Sequence, residues 1–291
     1  MFMRINKIAK SLKGLSLLCL WAIALQVSAE VRYHCAEDEA RVMSLIEAAK
    51  QGNTYGDRIV AAAKWFDGVP YAGASDNDSI GTIVVRLDSL NQREFTYLSL
   101  AAAKTAALTV PTLREFEKNL ESVSRKKGQD EGFASQFLYG SDWIVDNVYR
   151  GNLKEMTEYL DGGSYRTKTL DYVSRHPEKF PAMKDSLTAE KVKITEFGYR
   201  SHRIPHLKKQ SIGNKTVKEL LKNGDIIILS PPDNDFDIYD IGIVSFENGE
   251  PTLIHISKET NTVRVDPYPL PRLFKVEGQH FYGYRWLRPT E

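Results

Sequence analysis

Apolar residues recur at helical spacing through the first half of the chain. Two successive stretches each place four apolar side chains on one helical face, and Gly52 separates them. The same spacing predicts further helices over 113–123, 142–149 and 154–160. The apolar faces of the first two helices are Val42, Leu45, Ile46 and Ala49, and then Ile59, Val60, Ala63 and Phe66.

A helix beginning after Asn91 has the clearest start signal in the chain. Asn91 is a favourable N-cap residue, and Glu94 three positions later completes the pattern of a capping box. Phe95, Leu98 and Ala102 then fall on one face. The sequence therefore predicts a helix whose first turn begins at residue 92.

The last third of the chain changes from helical to strand-like patterns. Short apolar runs are separated by turn residues, and Asn248-Gly249 is a strong hairpin signal. Helices followed by consecutive hairpins indicate an α+β fold, with a helical N-terminal half packed on an antiparallel sheet of about five strands. A short strand is also predicted over 83–85, and the five strands over 225–229, 238–246, 252–257, 262–265 and 281–287.

The N-terminus has the three parts of a secretory signal peptide. A basic segment precedes an apolar run over 15–25, and Val27-Ser28-Ala29 then places small residues at a cleavage site. The apolar run is too short for a membrane span. We therefore expect residues 1–29 to be a signal peptide and 30–291 to form one exported domain, periplasmic or secreted, without a membrane anchor.

Charge and cysteine content restrict the function further. The formal net charge of +1 falls to −3 when the four cations of the signal segment, Arg4, Lys7, Lys10 and Lys13, are removed. Such a surface has no basic footprint for nucleic acid. Only Cys35 remains after cleavage, so no internal disulfide forms, and we interpret this thiol as incidental.

Several segments together resemble the N-acetylmuramoyl-L-alanine amidase-like branch of the NlpC/P60 cysteine hydrolases, the DUF1460 type. The resemblance runs from about residue 65 to 289. The segments that carry it are Gly-Val-Pro-Tyr-Ala-Gly at 68–73, Arg-Leu-Asp-Ser-Leu-Asn-Gln-Arg-Glu-Phe at 86–95, Ser-Gln-Phe-Leu-Tyr-Gly-Ser-Asp-Trp-Ile at 135–144, Arg-Ile-Pro-His at 203–206, Asn-Gly-Asp-Ile-Ile at 223–227, Asp-Ile-Gly-Ile at 240–243, Leu-Ile-His-Ile-Ser at 253–257 and Gly-Tyr-Arg-Trp-Leu-Arg-Pro at 283–289.

The resemblance implies a papain-like fold and cleavage of the amide between muramic acid and L-alanine. That chemistry uses a cysteine at the first turn of a helix, where the helix dipole favours the thiolate. A histidine on a strand accepts the thiol proton, and a second histidine orients the first.

The catalytic pattern of the family is not retained in this chain. The nucleophile position falls on Gln92 and the base position on Asp240, and only the orienting histidine remains, as His255. The family tyrosine is kept as Tyr71, but an expected arginine is Gln136. An amide is no nucleophile at neutral pH, so the sequence indicates an inactive relative or one with rebuilt chemistry.

Other chemistries compete with this interpretation. Ser89 and Thr96 flank Gln92, but neither occupies the first helical position. Asp240 and His255 supply only two ligands where a catalytic zinc usually has three. We expect no metal and no cofactor, and a charge-assisted hydrogen bond between these two side chains.

Two other polar patterns are interpreted as structural. The alternating Asp233, Asp235 and Asp237 lack the glycine and glutamate of a calcium loop and are assigned to a polar loop. His202 and His206 have the spacing of one helical turn, but Pro205 between them argues against a helix, so they are assigned to an exposed loop.

The sequence thus predicts an exported, catalytically inactive relative of cell-wall amidases. We expect it to bind muropeptide fragments or a protein partner through the old cleft, with Tyr71, Gln92, Asp240, His255 and Trp143 as contact residues. Alternatives are an active amide hydrolase rebuilt around Asp240 and His255, and a structural protein whose cleft is closed.

The signal peptide leads to a first prediction. The chain expressed with its full N-terminus in a bacterial host should be recovered outside the cytoplasm beginning at Glu30. Intact-mass spectrometry measures this directly. Recovery of a species that retains residues 1–29 would contradict the assignment.

Overall fold

A computed structural model describes residues 31–73, 82–126, 132–160 and 162–291. The predicted signal peptide lies outside these ranges. Within them, none of the helices combines the length and the apolar character that crossing a membrane requires.

The helices predicted in the N-terminal half are present with one exception. Capping boxes start two of them: Thr54 pairs with Asp57, and Asn91 pairs with Glu94. The apolar faces predicted for the first three are buried. The helices of this half are α1 (Asp38–Ala49), α2 (Tyr55–Trp65), α3 (Gln92–Ala106), α4 (Leu113–Ser124) and α5 (Gly140–Tyr149).

The main sheet is antiparallel and has eight strands among the described residues, which corrects the expected five. The strands are β3 (Leu153–Glu155), β4 (Gly163–Lys168), β5 (His202–Lys208), β6 (Ile226–Ser230), β7 (Asp240–Glu247), β8 (Glu250–Ile256), β9 (Val263–Val265) and β10 (Gly283–Pro289). Their order is β4-β5-β10-β6-β7-β8-β9, and β3 pairs with β10. Two further strands, β1 (Val31–Tyr33) and β2 (Ile83–Val85), pair in parallel beside the helices.

Further helices connect the later strands. They are α6 (Tyr172–Arg175), α7 (Ser186–Gly198), α8 (Lys215–Leu220) and α9 (Leu270–Val276). The helical N-terminal half and the antiparallel sheet are therefore both confirmed, although helices also occur within the second half.

The predicted helix over 154–160 is wrong. Lys154 pairs with Arg288 across β3 and β10, and a short 3-10 turn (Thr157–Tyr159) follows. The apolar spacing in this segment is compatible with a helix, but the local helix preference is weak. The backbone hydrogen bonds that β10 offers outweigh it.

The assignment of His202 and His206 to an exposed loop is also wrong. Both lie in β5, which pairs with β4 on one side and β10 on the other. His206 is buried and its ring stands edge-on to Tyr282. Pro205 is tolerated between them because strand backbone accepts the proline φ that would break a helix.

Strand alternation divides the sheet into two faces with separate cores. Ile241 and Ile243 of β7 pack with α2 and α3 in one core. Val244 and Leu253 pack with α9 and Trp286 in the other. Because side chains alternate along a strand, Asp240 and Gly242 belong to this second face. A Cβ at Gly242 would touch the side chains of Leu253 and His255, which confirms the assignment.

The contact between α2 and the turn before β6 leads to a stability prediction. A Cβ on Gly56 would lie 2.0 Å from the carbonyl oxygen of Asn223. Gly56→Ala should therefore lower the free energy of unfolding by about 1–3 kcal/mol, although alanine is the better helix former. Urea denaturation followed by circular dichroism measures the change. The matched control is Gly198→Ala, at the end of α7, where nothing lies within 4 Å of the added carbon. An equal loss in both variants would contradict the packing argument.

Candidate binding cavity

A cavity of about 570 Å³ lies against the first turn of α3. The loop carrying Tyr71, the end of β2, the segment 133–139 and the residues that lead into β7 form its walls. Both polar and aromatic side chains line it, including Tyr71, Arg86, Gln92, Arg93, Glu94, Tyr97, Arg125, Phe133, Gln136, Phe137, Tyr172, Phe180, Phe236, Ile238, Tyr239 and Ile241.

The first turn of α3 is fixed by its capping box. The Asn91 side chain accepts hydrogen bonds from the backbone N–H groups of Arg93 and Glu94, at 3.0 and 2.9 Å. The Glu94 carboxylate accepts from the backbone N–H of Asn91 at 3.0 Å. These bonds satisfy all but one of the first donors of the helix. The remaining donor is the backbone N–H of Gln92, to which the described residues supply no acceptor.

Gln92 projects into the cavity from this turn. It is half-buried, and its side-chain amide makes no hydrogen bond with the described residues. An amide offers a ligand both donor and acceptor atoms, and the positive end of the helix dipole favours an oxygen acceptor beside it. The position therefore suits recognition of a polar ligand, and its side chain cannot attack one.

Neither hydroxyl group that flanks Gln92 is placed as a nucleophile. The Ser89 hydroxyl donates to Asp88 at 3.1 Å and does not line the cavity. Thr96 is fully buried, and its hydroxyl donates to the backbone carbonyl of Gln92 at 2.8 Å. Burial raises the pKa of Tyr97 to about 12, although Arg93 and Arg125 lower it, so this cavity phenol stays protonated at neutral pH.

Asp240 and His255 do lie together, as the sequence predicts. His255 Nδ1 is 2.7 Å from an Asp240 carboxylate oxygen. The structure adds a third member, because His255 Nε2 lies 3.2 Å from the carboxylate of Asp266. The other oxygen of Asp240 accepts from the backbone N–H of Ile241 at 2.9 Å. Both ring nitrogens of His255 are thus occupied by carboxylates.

This charged cluster is buried and lies outside the cavity lining. Asp240 and His255 are 3% and 4% exposed, and both belong to the sheet face with Leu253. Ile241, the residue after Asp240, lines the cavity beside Gln92. The structure therefore joins two of the triad-equivalent positions to each other and leaves the third, Gln92, in the cavity without them.

The environment of His255 favours its charged form. Burial lowers the pKa of His255, but attraction and hydrogen bonding to Asp240 and then to Asp266 raise it to about 9. At neutral pH the ring is an imidazolium that donates to both carboxylates. Such a group has no lone pair with which to accept a proton from a nucleophile.

Tyr71 and Trp143, the two aromatic contact residues predicted, occupy different surroundings. Tyr71 is 37% exposed on its loop and lines the cavity. Trp143 is buried against the Tyr97 ring, and its indole N–H donates to the backbone carbonyl of Val123 at 2.8 Å. Tyr71 is therefore placed to touch a ligand, whereas Trp143 supports the wall behind Tyr97.

Asp237 anchors the wall that leads into β7. Its carboxylate accepts from the backbone N–H groups of Gly140 and Ser141 at the start of α5. The buried Lys168 ammonium donates to the backbone carbonyls of Pro231 and Phe236, at 3.0 and 2.6 Å. These bonds hold Phe236 and its neighbours against the cavity. The assignment of the aspartate series to a structural loop is consistent with this role.

Sequence reasoning missed the roles of Asp266 and Arg86. Asp266 follows β9, and only the strand register brings it to His255. Arg86 follows β2 at a position that alternates with the buried Val85, a pattern that could have placed it beside the cavity.

Among the described residues, no group of three or more His, Cys, Asp or Glu side chains is arranged to hold a metal ion. Asp240 and Asp266 flank opposite nitrogens of the His255 ring, so the three groups do not converge on one ion.

Comparison with known proteins identifies the family. A sequence model described as N-acetylmuramoyl-L-alanine amidase-like matches residues 61–278. This span includes the Tyr71 loop, the start of α3 and the charged cluster. No curated protein matches the chain.

Solved structures share the fold. An N-acetylmuramoyl-L-alanine amidase from Bacteroides uniformis superposes with a TM-score of 0.69 at 22% identity, covering 85% of this chain and 100% of that one. A Bacteroides fragilis protein whose name proposes a xylanase superposes with a TM-score of 0.66 at 26% identity, covering 77% of this chain and 97% of that one. A Legionella pneumophila protein assigned to DUF1460 superposes with a TM-score of 0.67 at 16% identity, covering 88% of this chain and 95% of that one.

The charged cluster leads to a pH prediction. Because the folded-state pKa of His255 is raised from 6.5 to about 9, its contribution to stability is complete below pH 6.5 and is lost as the pH rises through about 9. One pKa unit corresponds to about 1.4 kcal/mol, so the loss amounts to a few kcal/mol. Urea denaturation from pH 6 to 10 should show this fall in wild type and not in His255→Gln.

The exposed His280 provides the matched control. His280→Gln should retain the pH dependence of wild type. If His255→Gln loses stability with pH as steeply as wild type does, the buried imidazolium is not the cause.

Proposed function

Because the chain belongs to the N-acetylmuramoyl-L-alanine amidase-like family, we propose that it binds peptidoglycan fragments in the cavity beside Gln92 without hydrolysing them. The observation that carries this proposal is the position of Gln92. It occupies the first position of a capped helix, where this chemistry requires a thiolate, and it faces a cavity of about 570 Å³.

The absence of turnover is supported by the surroundings of Gln92. Tyr97 is protonated at neutral pH, and Thr96 is buried with its hydroxyl bonded to the helix backbone. His255, the retained member of the family triad, has both ring nitrogens bound to carboxylates. None of these groups supplies a nucleophile with an adjacent base, which amide hydrolysis by this route needs.

Ligand binding is supported by the polar groups left available in the cavity. The Gln92 backbone N–H and side-chain amide have no partner within the described residues, and Tyr71 exposes its ring nearby. A peptide amide from a muropeptide offers carbonyl and N–H groups that match these atoms. The aromatic walls offer apolar contact to the remainder of such a ligand.

The competing function is amide hydrolysis by groups rebuilt around Asp240 and His255. The burial of both side chains and their absence from the cavity lining favour binding over this alternative. A protein whose cleft is closed is disfavoured by the cavity volume and by the exposure of Tyr71.

The remaining expectations are part of the same proposal. We infer that residues 1–29 are removed on export, that residues 30–291 act outside the cytoplasm, and that the fold is of the papain-like NlpC/P60 type. A protein partner bound at the same cavity is the second candidate ligand, and it would use the same groups around Gln92.

The proposal is tested by titrating muropeptides into the mature chain and measuring Kd by calorimetry. Tyr71→Ala should weaken binding by roughly 2- to 10-fold, because it removes about 0.5–1.5 kcal/mol of aromatic contact. Gln92→Leu keeps the side-chain size but removes its polar atoms, and should weaken binding by a similar factor.

The control is Tyr149→Ala, since Tyr149 is 87% exposed and lies outside the cavity lining. Its Kd should equal that of wild type. Wild-type protein that binds no muropeptide, or variants at 71 and 92 that bind as wild type does, would refute the proposal.

A further inference from the structure

Arg86 is a cationic residue that lines the cavity. It follows β2 directly, and Val84 and Arg86 line the cavity while Val85 between them is fully buried in the helical core. This alternation is the ordinary consequence of an extended backbone. The guanidinium is therefore held beside the cavity by the packing of its neighbour.

The Arg86 guanidinium lacks the partners that the other cavity arginines have. Its Nε–H group is buried and donates to no acceptor among the described residues. No ion pair joins it to a described carboxylate. In contrast, Arg93 donates to the backbone carbonyls of Phe137 and Leu138, at 2.7 and 3.1 Å, and Arg125 donates to that of Thr82 at 3.1 Å.

The charge of the lining also favours an anion. Among the residues that line the cavity there are three arginines against one glutamate. That glutamate, Glu94, already accepts from the backbone N–H of Asn91 in the capping box. An excess of positive charge in a concave, partly desolvated site attracts anionic ligands.

Arg86 is half-buried, and its buried Nε–H, which has no acceptor among the described residues, carries a cost in free energy that a bound anion removes. Guanidinium and carboxylate match in geometry, since both are planar and form paired hydrogen bonds. The aromatic side chains of the lining, which include Phe133, Phe180 and Phe236, suit a carboxylate borne on a peptide better than a small inorganic ion.

We propose that Arg86 binds a carboxylate of the peptide ligand, so that the cavity selects peptides with free carboxylates over their amidated forms. This inference rests on the proposed function for the identity of the natural ligand. The chemistry of recognition, one carboxylate against one guanidinium, does not depend on it.

The experiment uses L-alanyl-D-glutamate with both carboxylates free and the same dipeptide with both carboxylates amidated. Both are titrated into wild type, Arg86→Gln, Arg86→Lys and Arg114→Gln by calorimetry, and muropeptide is titrated in parallel. Arg114 is the matched control, because it is exposed on α4 and outside the cavity lining. Thermal unfolding of each variant verifies that it is folded.

Wild type should bind the acid form roughly 10- to 100-fold more tightly than the amide form. Arg86→Gln should abolish that preference, Arg86→Lys should keep part of it, and Arg114→Gln should keep all of it. The comparison of the two dipeptides on wild type stands even if a variant fails to fold.

Several results would overturn the inference: equal affinity of wild type for the two dipeptides, no binding of either, or a preference that survives in folded Arg86→Gln. If muropeptide binds but the dipeptides are not distinguished, the proposed function stands and the Arg86 inference fails. If the acid dipeptide binds through Arg86 and muropeptide does not bind, the inference stands and the proposed ligand is wrong.

Discussion

A buried imidazolium held between two carboxylates is the interaction on which the strands of the main sheet depend most. His255 joins Asp240 at the start of β7 to Asp266 after β9, so one side chain ties three parts of the sheet together. Removing one member of such a buried cluster leaves an uncompensated charge and typically costs about 3–5 kcal/mol. The same bonds occupy both ring nitrogens. The side chain that the sequence predicts as the orienting member of a triad thus holds strands together in this structure.

The first turn of α3, which faces the cavity, is fixed by its own capping box and does not depend on the His255 cluster. The Asn91 and Glu94 caps align the first turn of α3, and the described residues offer the Gln92 N–H no acceptor. The Asp237 and Lys168 contacts hold the cavity wall that leads into β7. A positioned helix end, an exposed Tyr71 and a cationic side chain at the cavity are the features on which the proposal of ligand binding rests.

The elements that the sequence predicts well are those whose signals are local. The α3 capping box lies within four residues, and the hairpin at Asn248-Gly249 is specified by its own turn, whose residues have positive φ. The elements that it missed depend on distant partners. β3 forms because β10 offers it hydrogen bonds, and β5 is a strand despite Pro205 because both neighbours pair with it. Within the site, the closeness of Asp240 and His255 followed from adjacent strands, but the contact of Asp266 and the position of Arg86 at the cavity required the tertiary structure.

Intact binding of a muropeptide in the cavity is the central proposal. The direct measurement is mass spectrometry of muropeptides incubated with the mature wild-type chain, after separation of the protein-bound fraction from the free ligand. The account predicts that muropeptides are recovered from the bound fraction with the bond between muramic acid and L-alanine uncleaved. Release of the stem peptide by wild type would contradict it and would direct attention to Asp240 and His255 as catalytic groups.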